Sequence, residues 1–430
     1  MLKWCLIATV CLAAAGASGA EEDGAYPLRD AVECTPRGGL PNFFGKLASG
    51  GAVRIGYLGG SITAQEGWRP KTLAWFQERF PEAQVEQINA AIGGTGSALG
   101  VFRVEQDVLQ HKPDLLFVEF AVNDSGVSPE RICRTMEGIV RKTFRADAST
   151  DICFVYTLTE GMLGDLQGGK YPRAASAMEA VADHYGIPSI HMGLEVARRA
   201  KEGTVVFKGP RPQTDEDKAA LEGKVLFSED GVHPYTDSGH ILYLEAVARS
   251  MDAIQAAGKP GPHELGATLA ADNWESATMV PLNRAALSAG WKELNPDENG
   301  IAGRFRGRMP RMWHSNTPGD TISFRFEGTY AAIYDVIGPD CGQVAVSVDG
   351  AASVVRARFD KYCTYHRLAT LGLASGLPDA AHTVSVTIQP EQPDKVAILS
   401  ERDSTMDDPA RYDDTAVYAG SILLLGELVE

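Results

Sequence analysis

Leu115-Leu116-Phe117-Val118-Glu119-Phe120, running into Ala121-Val122-Asn123-Asp124, is the most continuous apolar stretch beyond the chain's first residues. A strand apolar on both faces belongs in the middle of a parallel sheet. The run therefore predicts a central strand whose C-terminal end presents Asn123. Upstream, Val53-Arg54-Ile55-Gly56-Tyr57-Leu58 reads as a strand ending in glycines, and 85–88 as a short strand. Between them, Leu73, Phe76 and Phe80 recur at helical spacing over 72–80, as do Val101, Val104 and Val108 over 101–109. Downstream, 129–144 reads as a helix opened by Pro129, 152–157 as a strand, 174–184 as a helix, 187–191 as a strand and 235–254 as a closing helix. Such alternation predicts an α/β domain, a largely parallel sheet with helices on both faces. Residues 203–223 break the pattern with polar residues, Pro210 and Pro212, and are expected to be a solvated loop inserted over the sheet edge.

At 430 residues the chain exceeds what one core usually serves, so two domains are expected. Ala257-Gly258-Lys259-Pro260-Gly261-Pro262 reads as a linker. After it come short alternating runs such as Thr321–Phe326, Val344–Val348 and Thr383–Ile388, with Asp349-Gly350 as a hairpin signal, which predict a β-sandwich. The expected boundaries are 1–20 for a signal peptide, 21–50 for an N-terminal segment, 51–257 for the α/β domain, 258–275 for the linker and 276–430 for the β domain. Lys3 followed by an apolar stretch and then Ser18-Gly19-Ala20 has the order of a secretory signal, too short to cross a bilayer comfortably. The mature protein is expected to be secreted or periplasmic, with no membrane span. A net charge of −16 argues against nucleic acid or an anionic membrane surface as the main partner. Five cysteines follow the signal; Cys341 and Cys363 could pair, whereas Cys153 lies in an apolar run and reads as a buried small side chain. No Cys-x-x-Cys or His-x-x-x-His spacing points to a metal.

Four short blocks carry chemistry. Gly59-Gly60-Ser61-Ile62-Thr63 places a serine at a strand's C-terminal end, the edge where open α/β sheets bind ligands. It lacks the second glycine of Gly-x-Ser-x-Gly, and by itself it is equally a plain turn. Asp230-Gly231-Val232-His233-Pro234 places an acid three residues before a histidine, close enough to accept the second ring proton; a surface Asp-Gly turn has the same form. Asn89-Ala90-Ala91-Ile92-Gly93-Gly94-Thr95-Gly96 and Phe120-Ala121-Val122-Asn123-Asp124 offer a backbone N–H at Gly94 and a carboxamide at Asn123. Donors fixed in advance are what a developing oxyanion requires. The glycine cluster lacks the Gly-Lys-Ser/Thr ending of a phosphate loop.

In the order Ser, Gly, Asn, Asp-x-x-His, these blocks resemble the SGNH (GDSL-like) hydrolase superfamily over about residues 50–255, in the form of its secreted bacterial Gly-Gly-Ser-Ile-Thr branch with an added β domain. The resemblance implies a flavodoxin-like three-layer α/β/α fold and ester hydrolysis with no metal or other cofactor. It would make Ser61 the nucleophile, His233 the base, Asp230 its partner, and Ser61, Gly94 and Asn123 the oxyanion donors. Gly59-Gly60-Ser61 stands for the family's Gly-Asp-Ser, and Ala121-Val122-Asn123-Asp124 for its Gly-x-Asn-Asp. Neither departure removes a group that carries charge in the reaction.

Glu66, Trp68 and Arg69 follow the serine, a tryptophan beside charges that suits a sugar ring; a core role for Trp68 is the plainer alternative. With secretion and the β domain, this favours an acylated, expectedly acetylated, carbohydrate as substrate. Two other readings stay open: a lipid or thioester hydrolase using the same groups, and an inactive glycan-binding protein. Trp313, Tyr330, Tyr334 and Tyr365 are candidates for a sugar platform on the β domain, although strand aromatics also serve cores.

Overall fold

The computed structural model describes residues 26–429. The expected signal peptide lies outside them. The first sheet contains β1 (Cys34–Thr35), β2 (Ala52–Gly59), β3 (Gln84–Asn89), β4 (Leu115–Glu119), β5 (Asp151–Tyr156) and β6 (Ser189–His191), in the order β1-β6-β5-β4-β2-β3. All neighbours run parallel except the β1 edge, which pairs antiparallel with β6. Stripped of β1, this is the doubly wound flavodoxin-like order, and its strand order reverses between β2 and β4.

Alternation along the strands sends side chains into two cores. Tyr57, Leu115, Phe117, Cys153 and Val155 face one side, where the helices Pro41–Ala48, Trp68–Arg79 and Gly239–Gln255 pack. Leu58, Leu116, Val118, Ile152 and Phe154 face the other, under the helices Ser97–Asp107, Pro129–Ala146 and Arg173–Tyr185. With apolar groups on both faces, the strands read as unbroken hydrophobic runs. The segment before residue 51 is part of this domain: it supplies an edge strand and a helix whose Phe43, Phe44 and Leu47 are buried.

Residues 203–223 differ from the expected solvated loop. They contain β7 (Val205–Lys208) and the capped helix Asp215–Ala220, and β7 pairs in parallel with β8 (Val225–Ser228) as a separate two-stranded sheet. Pro210 and Pro212 lie in the crossover between the strands, where no ladder N–H is needed. The closing helix starts at Gly239 rather than 235, because residues 235–238 form the turn leading into it.

The C-terminal part is a nine-stranded antiparallel sheet built around Thr321–Ile337, Arg367–Ile388 and Val417–Val429. Its strands bend where the register shifts between Gly328 and Tyr330. Ile322, Phe324, Ile333, Val384 and Leu424 form the domain's own core. Tyr330, Ala332, Tyr334 and Leu423 belong instead to the core under the Ser97–Asp107 and Pro129–Ala146 helices, so one hydrophobic cluster spans both domains. There Phe102 stacks on Tyr330 with centroids 5.7 Å apart, and Trp274 meets the same ring at 5.0 Å. Trp313, Tyr330 and Tyr334 are buried, which withdraws them as a sugar platform, whereas Tyr365 is exposed. Cys341 and Cys363, which could have paired, are both buried free thiols, as Cys153 is. No described helix is long and apolar enough to cross a membrane.

Candidate active site

The site forms where the sheet's strand order reverses. β2 ends in the turn to the short helix Ser61–Ala64, and β4 ends at Glu119, followed by a turn that brings Asn123 beside Gly60. Ser61 is the first helical residue, so its N–H is one of the donors a helix start leaves without an internal partner. Its Oγ lies 2.7 Å from His233 Nε2, and His233 Nδ1 lies 2.8 Å from Asp230 Oδ2. A carboxylate only accepts, so Nδ1 carries the proton and the Nε2 lone pair faces the serine hydroxyl.

The acid turn is built locally. Asp230 Oδ1 accepts the backbone N–H groups of Val232 at 2.9 Å and His233 at 2.8 Å. Ser228 Oγ, on β8, accepts from Gly231 N–H at 3.1 Å, and Glu160 N–H donates to the Gly231 carbonyl at 2.8 Å. The small second sheet thus carries the histidine. Partial burial pulls the Asp230 carboxyl upward, but the bonds from the His233 ring, His233 N–H and Val232 N–H outweigh it and hold the group below its ordinary value.

Beneath the serine the framework is buried. Glu119 closes β4 at 1% exposure, an anomaly in an apolar strand. Its carboxylate accepts from Thr63 Oγ1 at 2.9 Å, Thr157 Oγ1 at 2.7 Å and the Gly60 N–H. Burial raises this carboxyl against the pull of those three bonds. Asn123 crosses directly above: a Cβ on Gly60 would fall 1.9 Å from Asn123 Oδ1, so with the amide in this position glycine leaves it room. Gly94 adopts φ +73°, the left-handed region, and Thr95 Oγ1 ties its turn back to the Ile92 carbonyl at 2.8 Å. Gly93, its neighbour, lies against Ser61: a Cβ there would sit 3.6 Å from the serine Cβ. Asp124 accepts from Ser97 N–H at 3.1 Å, fastening this loop to the Asn123 strand end; burial pushes its carboxyl up to about 6 despite the Ser97 bonds.

The structure thus joins Ser61, His233 and Asp230 by hydrogen bonds and sets Asn123 and the Gly93–Gly94 turn beside the Ser61 turn. The three expected sugar contacts do not hold together. Trp68 is 0% exposed and Arg69 1%, so neither can reach a ligand. Trp68 packs edge-on against Tyr57 and Phe117. Arg69 donates to the Thr63 carbonyl at 3.2 Å, to Gln87 and to Glu66 at 2.5 Å, so it braces the serine's helix. Glu66 is exposed but occupied by Arg69. His240 is a further brace: Nδ1 accepts the Trp68 N–H at 3.0 Å, so Nε2 carries the proton and meets Gln65 Oε1 at 3.1 Å. Burial drops its pKa to about 3, which keeps the ring neutral. Sequence reasoning missed Glu119, and its signal was available as a lone charge inside a strand otherwise buried on both faces.

A serine hydroxyl hydrogen-bonded to an imidazole that is itself held by a carboxylate can perform acyl transfer through a covalent intermediate. The model of the GDSL-like Lipase/Acylhydrolase family matches residues 57–239, which contain all five positions. No curated protein matches the sequence. Among solved structures, a two-domain esterase (CEX) active on acetylated mannans, co-crystallized with mannopentaose, is 21% identical with TM-score 0.69, covering 94% of this chain and 100% of its own. A second structure of such an esterase has the same identity and TM-score, over 93% and 98% of the two chains. This likeness establishes the two-domain fold.

Proposed function

Since residues 57–239 carry a GDSL-like lipase/acylhydrolase domain, we propose that the protein is a serine esterase that removes small acyl groups, acetyl first among them, from carbohydrate. The observation that carries the mechanism is the continuous line from Ser61 Oγ through His233 to Asp230, with contacts of 2.7 and 2.8 Å. In this reading His233 Nε2 takes the Ser61 proton as Oγ attacks the acyl carbonyl. The resulting oxyanion is met by the N–H groups of Ser61 and Gly94 and the Asn123 amide. The sugar hydroxyl leaves with the proton from His233, and water repeats the steps on the acyl-enzyme. Asp230 keeps the imidazole in the required tautomer and stabilises its charged form.

Carbohydrate as the acyl carrier is supported by the fold shared with an esterase active on acetylated mannans. The N-terminal signal pattern supports a location outside the cytoplasm, where such polymers are met. The test is turnover of p-nitrophenyl acetate by wild type and Ser61→Ala, beside acetate release from acetylated mannan and xylan. Full activity in Ser61→Ala would remove the nucleophile assignment. A nitrophenyl-ester series with activity rising toward long chains would favour a lipid hydrolase instead.

A further inference from the structure

A cavity of about 360 Å³ opens between the two domains beside the oxyanion loop. This is within the size range of small-molecule sites, about 300–1,000 Å³. Gly94 to Leu99 form its catalytic wall, and the β domain supplies Arg358–Asp360 and Arg367–Thr370 opposite. Arg367 reaches across: a Cβ on Gly94 would lie 3.9 Å from its Nη1. A guanidinium from the C-terminal sheet therefore stands next to a proposed oxyanion donor.

We propose that this interdomain cleft is the subsite for a neutral, hydroxyl-rich sugar residue at or next to the esterified one, with Arg367 as its principal donor. The proposal rests on the carbohydrate-esterase reading and assigns the β domain a part in it. Three observations support it. First, both cations of the cleft are already paired, Arg358 with Asp335 at 2.5 Å and Arg367 with Asp360, so the site carries no spare positive charge for a uronate. Second, the Arg367 fork is split: Nη2 donates to Asp360, whereas Nη1 faces Gly94 across the cleft, a donor placed to meet a ligand oxygen. Third, Asp360 and Arg367 bracket a turn that exposes two tyrosines, Tyr362 at 40% and Tyr365 at 47%. Tyr362 is held by Arg367 and Arg402 near its ring, at 5.6 and 4.7 Å, whereas Tyr365, on the rim beside the lining residues Asp360 and Arg367, makes no ring or cation contact among the described residues and can offer its face to a sugar. The shared core around Phe102, Trp274 and Tyr330 fixes the domains against each other, so the cleft is present before substrate arrives.

The experiment is calorimetric titration of full-length Ser61→Ala with mannopentaose, xylopentaose, cellopentaose and tetragalacturonate. Arg367→Ala, Arg367→Lys and Tyr365→Ala are then added in the same background. At least one neutral oligosaccharide is expected to bind. Arg367→Ala should weaken that binding at least about tenfold, the loss of a charge-assisted hydrogen bond, with Arg367→Lys restoring part of it. Tyr365→Ala, at an exposed position that leaves the fold intact, should weaken it about threefold or more. Tetragalacturonate should bind at least about tenfold more weakly than the best neutral ligand, having no unpaired cation to meet. No binding by any neutral oligosaccharide, unchanged affinity in both Arg367→Ala and Tyr365→Ala, or tighter binding of tetragalacturonate would each overturn the proposal. The esterase reading is tested separately, by acetate release in the wild type: binding without release would retire that reading and leave the subsite standing.

Discussion

The two halves of the crevice are held in opposite ways. The serine side is bolted into the core: Gly60 and Thr63 hang on the buried Glu119, the Thr63 carbonyl is gripped by the buried Arg69, and the Asn123 amide packs against the bare Cα of Gly60. The histidine side stands on an open turn, with the His233 and Asp230 side chains 37% and 42% exposed, and is fixed mainly by backbone hydrogen bonds and the small β7–β8 sheet. Ser61 Oγ is thereby placed by packing, which tolerates little change. The His233 ring is placed by a local turn that can be perturbed without disturbing the domain.

The sharpest way to break this comparison is at the reacting atoms. Ser61→Ala and His233→Ala should each cost at least about 10³-fold in kcat/KM on p-nitrophenyl acetate while melting near wild type, since triad losses elsewhere reach about 10⁶. Next, Gly60→Ala tests the packed side. Its Cβ has no room beside Asn123 Oδ1, so the amide must swing away. Activity should fall about 10²–10³-fold, the cost of one oxyanion donor, and match Asn123→Ala in size; a mutant within a few-fold of wild type would show that the amide is not placed there for catalysis. Asp230→Asn should likewise cost about 10²-fold or more, since it disturbs the tautomer, but with an unchanged melting temperature, because the turn is exposed.

Much of this was open to reading from sequence. The blocks at 61, 94, 123, 230 and 233 are legible because strand-end loops depart visibly from the apolar runs they follow. The largely parallel sheet with helices on both faces is likewise implied by alternation of strands and helices. The supports are harder to see. Arg69 and Trp68 look like surface chemistry beside the serine, yet the Trp68–Arg79 helix turns both inward, one into an aromatic cluster and the other onto the Thr63 carbonyl. Residues 203–223 look like loop because two prolines and many charges mask a four-residue strand and a six-residue helix. The contact between domains is invisible to any local pattern, since Tyr330 and Phe102 are 228 positions apart in the chain.

Smaller effects sharpen the contrast. Glu119→Gln keeps the shape but loses an acceptor for two hydroxyls and an N–H; kcat should fall about tenfold with KM little changed, because a buried partner left unmet costs about 1–3 kcal/mol and shifts the turn rather than the binding surface. A rise in KM with kcat intact would contradict this. Finally, Asp124 offers a pH test. Its folded carboxyl is raised by burial to about 6, whereas an unfolded aspartate titrates near 3.9. The folded state therefore binds the extra proton between those values, and stability falls as pH rises from about 4 to 6. Asp124→Asn removes the term, so the mutant's stability relative to wild type should improve over that interval by up to about 3 kcal/mol in urea unfolding. A constant difference across it would mean that Asp124 ionises as freely folded as unfolded.

The account depends most on Ser61 being an activated nucleophile. Intact-mass and peptide mass spectrometry after treatment with a fluorophosphonate tests this directly. The expected result is one covalent adduct located on Ser61, formed far more slowly in His233→Ala and absent in Ser61→Ala. A wild-type protein that stays unlabelled, or an adduct that persists in Ser61→Ala, would contradict it.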